Sequence, residues 1–139
     1  LGREVSGVDL RNMFWCEYVE RTNPYQLVSF RTEEKDGCVN CWATVMIHGT
    51  SHVAEGHGNG PIDAFVYAIN HTQTHQINVL YYSEHSLSAG EGAMAIAYVQ
   101  LSFADGLIRW GAGVDTNIET ATLKAILSAL NRLAVESEM

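Results

Sequence analysis

A strand–glycine–helix pattern that occurs twice constrains the fold of this chain more than any other feature. Alternating residues lead to Gly56-His57-Gly58 and again to Gly111-Ala112-Gly113, with 55 positions between the two glycine pairs. A helix-like apolar run follows each pair and begins with an isoleucine and an acidic residue. The repetition predicts two tandem units of one architecture.

Each unit is predicted to contain three strands, which period-two alternation and turn residues define. Their ranges are 25–32, 39–47 and 51–58 in the first unit, and 76–82, 93–103 and 107–113 in the second. The predicted connections are a charged turn at 33–37, hairpin turns at Gly49-Thr50 and Asp105-Gly106, and a polar segment at 84–92. On the second strand, one face is shared by Val39, Cys41, Ala43, Val45 and Ile47.

One helix follows the strands of each unit. Pro61 opens the first helix, which ends near His71, and Thr116 with Glu119 forms a T-x-x-E capping box before the second. The apolar stripe of the first helix consists of Ile62, Phe65, Val66 and Ile69. The predicted buried face of the second helix consists of Ile118, Ala121, Thr122, Ala125, Ile126, Ala129, Leu130 and Leu133.

The fold class that follows is α+β, with two tandem pseudo-twofold βββα units whose antiparallel sheets pack against two helices. Each unit is too small to bury a core alone. Residues 5–21 predict an additional helix ahead of this fold. Leu1 is not an initiator methionine, so we expect the chain to be a fragment of a longer protein.

Composition and charge narrow the function. The 139 residues are 47% hydrophobic, which suits one domain with a substantial core. The net charge of −8 argues against nucleic acid and against an anionic membrane surface as partners. No apolar run approaches the roughly 18 residues of a membrane span, and the polar start does not read as a signal peptide. We expect a cytoplasmic protein.

Cys38 and Cys41 form a CxxC motif, which some metal and redox sites contain. A zinc site would need a second pair or suitably spaced histidines, and the histidines that follow have no recognised ligand spacing. Strand alternation would also point the two thiols to opposite faces. Reduced thiols are therefore expected, and a stand-alone metal or redox module is the alternative.

The stretch Gly56–Ala64 contains a helix start that could hold an anion. Free amides and the positive end of the helix dipole favour a carboxylate or phosphate, while a tight turn that needs glycine for steric reasons is the alternative. If the two helix starts converge, they suit a free amino acid, with space left by the small residues Ala89, Gly90, Gly92, Ala93 and Ala95. Candidate partners for its ammonium group are Asn59, Asp63, Glu84, Glu91, Asp115 and Asn117, each of which could instead be a capping or solvated residue.

Three motifs in this order resemble the C-terminal, leucine-sensing regulatory domain of 2-isopropylmalate synthases, a domain type that citramalate synthases share. They are GHGNGPIDA at Gly56–Ala64, YSEHSLSAGEGAMA at Tyr82–Ala95 and WGAGVDTNIETATLKAILSALNR at Trp110–Arg132. The similarity runs from about Gln26 to Leu133. Residues 1–22 resemble the last helix of the linker subdomain, and 23–139 would form the regulatory domain.

The resemblance implies a parent enzyme that condenses acetyl-CoA with 2-oxoisovalerate, the first committed step of leucine biosynthesis. Catalysis would reside in an N-terminal TIM barrel with a divalent metal (Mg, Mn or Zn). That barrel does not occur in this sequence, so the fragment is expected to have no catalytic residues, metal or cofactor and to be inactive alone. Its role would be to bind L-leucine, to form a homodimer, and to lower the activity of the barrel by feedback.

The same motifs imply a leucine site in three parts. Gly58, Asn59, Gly60, Ile62 and Asp63 would form the first wall; Tyr82, Ser86, Ala93 and Ala95 would surround the side chain; Asn117 and Ile118 would complete the site. Some relatives have Ala at the positions of Ser86 and Asp63, which affects fine specificity. The alternatives are an isoleucine-sensing domain of a citramalate synthase and a purely structural dimerisation domain.

Overall fold

The computed structural model describes residues 24–72, 76–86 and 93–137, with side chains as far as residue 133. The first unit contains β1 (Tyr25–Lys35), β2 (Cys38–Ile47), β3 (Thr50–Gly58) and α1 (Pro61–Asn70). The second unit contains β4 (Ile77–Ser86), β5 (Ala95–Phe103), β6 (Ile108–Asp115) and α2 (Ile118–Ser137). The strands form two antiparallel sheets, in the orders β1-β2-β3 and β4-β5-β6. The predicted α+β fold of two tandem βββα units is confirmed, while the helix predicted over 5–21 lies outside the described residues.

Tight hairpins connect the strands of the first unit. Asp36-Gly37 and His48-Gly49 are two-residue loops, and all four residues have positive φ, between 51° and 80°, as type I′ turns require. The second turn therefore lies one residue before the predicted Gly49-Thr50, and β1 includes residues 33–35 that the sequence assigned to a turn. In the second unit, the predicted turn at Asp105-Gly106 is confirmed, with φ of 89° at the glycine.

A bulge interrupts the first strand of each unit at the equivalent place. The pairing register shifts between Leu27 and Ser29 in β1 and between Val79 and Tyr81 in β4. An extra residue of this kind reverses which side chains face the core along the rest of the strand. β4 also continues to Ser86, so that it includes residues predicted to form a connection.

Each glycine pair lets a helix lie directly against a strand. A Cβ atom on Gly56 would stand 2.2 Å from the carbonyl oxygen of Ala64, and one on Gly111 would stand 2.2 Å from that of Ala125. The second glycine of each pair would meet the same helix within 2.7 Å. No side chain fits at these distances, so the steric interpretation explains both glycine pairs.

One hydrophobic core joins the two units. Its residues come from β1, β2, β4, β5 and both helices, and they include the fully buried Phe65 and Leu101. The alternation predicted for β2 is confirmed, because Cys41, Ala43 and Val45 are completely buried. Neither unit supplies this core alone, as the small size of each predicts.

The buried face of α2 agrees with the sequence except at its first residue. Ala121 and the later predicted positions up to Leu133 are buried, but Ile118 is exposed. Ile118 precedes the point where the helix meets the sheet, since Ala121 is the first α2 residue against Gly113. Neither helix in the described part of the chain has the length and apolarity needed to cross a membrane.

An asparagine on each helix binds both backbone groups of the first residue of a strand in the other unit. The Tyr25 N–H donates to Asn131 Oδ1 at 2.7 Å, and Asn131 Nδ2 donates to the Tyr25 carbonyl at 2.9 Å. Asn70 makes the same two bonds with Ile77, at 2.8 and 3.0 Å. We call these pairs the amide clamps; they tie the starts of β1 and β4 to α2 and α1.

Candidate functional site

The starts of the two helices enclose a small cavity together with β4. The cavity measures about 190 Å³, below the usual range for drug-sized ligands and suited to a smaller molecule. Its lining consists of Pro61 and Ile62 of α1, Glu84 of β4, and Glu119, Thr122 and Leu123 of α2. The predicted convergence of the two helix starts is confirmed.

A larger open cleft of about 570 Å³ adjoins this cavity. Residues 60–63 at the start of α1 and residues 79–82 of β4 line the cleft. Pro61 and Ile62 belong to both linings, so the two spaces form one continuous surface. We call this surface the interhelical groove.

β4 presents its core-facing side to the groove after the bulge. Tyr82 pairs with Val99 and Glu84 pairs with Ala97, and both partners are buried in the core. Tyr82 is nevertheless 51% exposed, because the cleft leaves this part of the strand uncovered. The interhelical groove is therefore a gap in the helical layer, with strand side chains as its floor.

The start of α1 leaves its first amides without a side-chain cap. Gly60 is the N-cap residue, with extended backbone (φ −154°, ψ 176°), and among the described residues no side chain accepts a hydrogen bond there. Pro61 follows and has no N–H of its own. The next two residues, Ile62 and Asp63, lie in the lining of the cleft. Their amides, at the positive end of the helix dipole, offer donors to an anion.

The start of α2, in contrast, is capped by its own sequence. The Thr120 N–H donates to Asn117 Oδ1 at 2.9 Å, so Asn117 is the N-cap residue. The predicted capping box of Thr116 with Glu119 is therefore wrong by one residue. The reason is the turn before the helix, in which the Asn117 N–H donates to Asp115 Oδ1 at 2.9 Å. Glu119 lines the groove instead.

Asp115, one of the candidate ammonium partners, has a structural role before α2. Besides the Asn117 N–H, its carboxylate accepts a hydrogen bond from Lys124 Nζ at 2.9 Å. Burial raises the pKa of this carboxyl group, but the hydrogen bonds from Asn117, Lys124 and Thr116 and the Lys124 charge outweigh burial and hold the pKa below its ordinary value. Asp115 thus fixes the turn into α2.

Glu84 and Glu119 bring two carboxylates to the groove. Thr122 Oγ1 lies 3.1 Å from Glu84 Oε1 and 3.0 Å from the Ile118 carbonyl oxygen, and its hydroxyl can donate to either. The other described residues that line the small cavity, Pro61, Ile62 and Leu123, are apolar. Carboxylates, uncapped amides and an apolar wall are together complementary to an ammonium group, a carboxylate and an aliphatic side chain.

Part of the predicted leucine site comes together in the cleft. Four predicted residues line it, namely Gly60, Ile62, Asp63 and Tyr82. Asn59 is exposed immediately before them. Gly58 lies outside the lining, and a Cβ atom there would stand 2.7 Å from Asp63 Cβ, which explains the glycine by helix packing.

The other predicted residues lie beyond the small cavity, at one end of the second sheet. Ser86 pairs with Ala95 where β4 ends and β5 begins, and Ala93 precedes β5. Asn117 and Ile118 follow β6, whose last residue pairs with Ala95. These residues neighbour one another, but they do not line either cavity of the groove.

The sequence predicted a contribution from the start of α2, at Asn117 and Ile118, but not the α2 residues that line the small cavity. Glu119 was assigned to a capping box, Thr122 to a buried face, and Leu123 to neither role. Helical spacing carried a signal, because Thr122 and Leu123 lie three and four residues after Glu119 and so share one face of the helix with it. The bulge that aims Tyr82 and Glu84 into the groove has no comparable sequence signature.

The CxxC motif does not bring its two thiols together. Cys41 is buried among core residues, and Cys38 lies on the opposite face of β2, as predicted. Burial, with a smaller effect of the Glu119 charge, raises the pKa of the Cys41 thiol to about 11. Within the described ranges, His, Cys, Asp and Glu side chains form no group of three that could hold a metal ion.

Residues 4–134 of the chain match the family described as the LeuA allosteric (dimerisation) domain. Similar curated proteins include the 2-isopropylmalate synthases of Mycobacterium ulcerans (42% identical over 134 residues), Mycobacterium leprae (39% over 134) and Ralstonia pickettii (38% over 135). These matches cover 94%, 94% and 95% of this chain, but 23%, 22% and 24% of the respective relatives. The chain thus spans less than a quarter of the length of these relatives.

Proposed function

The chain belongs to the family of LeuA allosteric (dimerisation) domains, and from this premise we propose that it is the regulatory domain of a 2-isopropylmalate synthase that binds L-leucine and feedback-inhibits that enzyme. The observation that carries the proposal is the interhelical groove, where the starts of both helices meet over β4. Such a groove has the polarity and size that a small apolar amino acid needs.

The groove suggests how L-leucine would be held. The uncapped amides of Ile62 and Asp63 would donate to its carboxylate. Glu84 and Glu119 would accept hydrogen bonds from its ammonium group. The isobutyl side chain would contact apolar lining residues, among them Leu123.

Inhibition requires that L-leucine bind one conformational state of the enzyme better than another, because equal affinity for both shifts nothing. Coupling free energies between two sites are typically about 1–3 kcal/mol. The condensation of acetyl-CoA with 2-oxoisovalerate, and the divalent metal that supports it, belong in this proposal to a catalytic domain outside the 139 residues.

The family description also names dimerisation, and we propose that the domain forms a homodimer. The described residues expose several large apolar side chains, including Leu80, Tyr81 and Trp110 on the second sheet. Light scattering coupled to size exclusion would distinguish a dimer from a monomer at micromolar concentration. A monomer that still binds L-leucine would separate sensing from dimerisation.

Isothermal titration of the chain with L-leucine, L-isoleucine and L-valine tests the proposed ligand. We expect saturable binding with a preference for L-leucine, although one methyl branch contributes only about 1–3 kcal/mol of discrimination. A preference for L-isoleucine would instead indicate the regulatory domain of a citramalate synthase. No binding by a folded sample would contradict the sensor function and favour a structural dimerisation domain.

Two matched variants test the location. Glu84→Gln removes a groove carboxylate, while Glu55→Gln removes an exposed carboxylate from β3, which lies in the other sheet. We expect Glu84→Gln to weaken L-leucine binding about tenfold or more, since charged hydrogen bonds contribute about 1.5–3 kcal/mol. Glu55→Gln should bind as the wild type does. Equal affinities for all three proteins would contradict the groove as the site.

A further inference from the structure

The amide clamp of Asn131 joins the helix that lines the groove to the start of β1, where the described part of the chain begins. Asn131 is 1% exposed and binds the Tyr25 backbone across a separation of 106 residues. Tyr25 is the first residue of β1 and is itself buried. The adjacent Pro24 carbonyl accepts a hydrogen bond from the His48 N–H at 3.0 Å, so both residues at this point are fixed by the fold.

α2 is one continuous helix from the groove to the clamp. Glu119, Thr122 and Leu123 line the small cavity, and Asn131 lies on the same helix, about two to three turns further on. β6 approaches the backbone of α2 closely along this length, at Gly113 and Gly111. A displacement of the first turn by a bound ligand would therefore be carried along a rigid element to the clamp.

The second clamp provides a comparison with the same chemistry. Asn70 also binds one backbone N–H and one carbonyl, but its partner Ile77 is only seven residues away. That contact lies within the domain, between α1 and the next strand. Asn131, by contrast, holds Tyr25, through which the preceding residues of the chain connect to β1.

We propose that Asn131 is a positioning residue that couples occupancy of the interhelical groove to the chain segment at Pro24-Tyr25. The proposal rests on the function proposed above, since it concerns how binding of an effector in the groove reaches the rest of the enzyme. The two states would differ in the position of β1 relative to α2, and the effector would favour one of them. Both hydrogen bonds of the clamp are needed to transmit that preference.

The test uses the whole synthase that carries this domain, as wild type, Asn131→Asp and Asn70→Asp. An aspartate keeps the shape of asparagine and the acceptor for the strand N–H, but it cannot donate to the strand carbonyl when ionised. For each protein, L-leucine affinity is measured by titration, and the fraction of activity lost is measured at saturating L-leucine. A role that is only structural would change both quantities together or neither.

We expect Asn131→Asp to bind L-leucine within about threefold of wild type but to lose at least half of the maximal inhibition, as weakened coupling predicts. Asn70→Asp should keep both affinity and inhibition. Inhibition of Asn131→Asp as complete as that of wild type, or an equal loss in Asn70→Asp, would overturn the proposal. Absence of L-leucine binding to the wild type would instead refute the proposed function on which this inference rests.

Hydrogen exchange on the wild type provides a second readout if Asn131→Asp does not fold. The amide of Tyr25 should exchange at a rate that changes by about fivefold or more between the free and the L-leucine-saturated enzyme, the low end of typical allosteric coupling. An unchanged Tyr25 amide in an enzyme that binds L-leucine would overturn the role of the clamp.

Discussion

The two units are alike where their helices pack against their strands, and they differ at the helix starts that face the interhelical groove. Both have a bulge in the first strand, a glycine pair in the third, and an asparagine clamp on the helix. At the helix starts they diverge, because α1 begins at an uncapped glycine and α2 begins at an asparagine that caps its own helix. A duplicated fold can thus keep one packing scheme while its two copies contribute different chemistry to one site.

The two amide clamps make the same hydrogen bonds but differ in the sequence separation of their partners and in burial. Asn70 spans seven residues and is half-buried, whereas Asn131 spans 106 residues and is fully buried. The first stabilises a local connection between α1 and β4. The second joins α2 to β1, the last and the first elements in the described part of the chain.

Substitutions at the glycine pairs should lower the stability most, and by equal amounts in the two units. Gly56→Ala and Gly111→Ala each place a Cβ atom 2.2 Å from a helix carbonyl oxygen. We expect each change to lower the free energy of unfolding by about 3 kcal/mol or more, at the upper end of overpacking costs. Urea denaturation followed by circular dichroism measures the free energy of unfolding.

Gly60→Ser is the control for these two variants, because a Cβ atom on residue 60 meets no atom within 4 Å. It should change the stability by less than about 0.5 kcal/mol. A cost confined to one unit would contradict the shared packing scheme.

The two amide clamps should contribute unequally to stability. Asn131→Ala leaves the N–H and carbonyl of the buried Tyr25 unpaired, at about 1–3 kcal/mol for each group. Asn70→Ala affects a half-buried site that water can reach, so we expect about 1 kcal/mol. The same denaturation measurement compares the two variants. A stability loss for Asn70→Ala as large as that for Asn131→Ala would show that sequence separation and burial do not determine the contribution of a clamp.

Acid should weaken the turn into α2, which has no equivalent at α1. The folded pKa of Asp115 is below its unfolded value, so its stabilisation is present above the unfolded pKa of about 3.9 and is lost as pH falls through the folded pKa. We expect the wild type to lose about 0.5–1 kcal/mol more stability than Asp115→Asn between about pH 5 and pH 3. Lys124→Gln should remove part of the difference, because the Lys124 ion pair is one of its causes. Parallel stability curves for wild type and Asp115→Asn would argue against this role.

The smallest effect is expected at Cys41, which occupies the place in the first unit that Val99 occupies in the second. Each residue pairs with the first glycine of its unit, and both are fully buried. Cys41→Val should therefore cost less than about 1 kcal/mol. A thiol with a pKa near 11 is almost entirely protonated at neutral pH. Thiol labelling of the folded chain at pH 7, read by peptide mass, should thus modify Cys38 well before Cys41, and the reverse order would contradict the burial of Cys41.

The sequence predicted the parts of the fold that depend on local patterns. Alternation along β2, the glycine pairs and the proline at the start of α1 each have a direct physical cause in neighbouring residues. The bulge in β4 does not, because its position depends on pairing with β5, and the predicted strand consequently ended at Tyr82 and left Glu84 and Ser86 in a connection. The capping error at Thr116 has a similar origin, since the Asp115 turn shifts the N-cap to Asn117.

For the candidate site, the sequence predicted that the starts of both helices contribute, but it identified the lining residues of α1 better than those of α2. Gly60, Ile62 and Asp63 belong to a contiguous motif, and they line the cleft together. Glu119 and Thr122 come from a helix more than fifty residues later, and only the tertiary arrangement brings them to Pro61. The repeat predicted that the two helix starts converge, but which side chains of α2 reach the groove depends on the tertiary arrangement, which local patterns do not contain.

An amide NMR titration of the chain with L-leucine would show whether the interhelical groove binds this amino acid. We expect saturable shifts that are largest at the amides of Ile62, Asp63 and Glu119, with small shifts on the turn at Asp105-Gly106, which lies outside both linings. Saturable shifts that cluster elsewhere, with the start of α1 unaffected, would contradict binding in the groove.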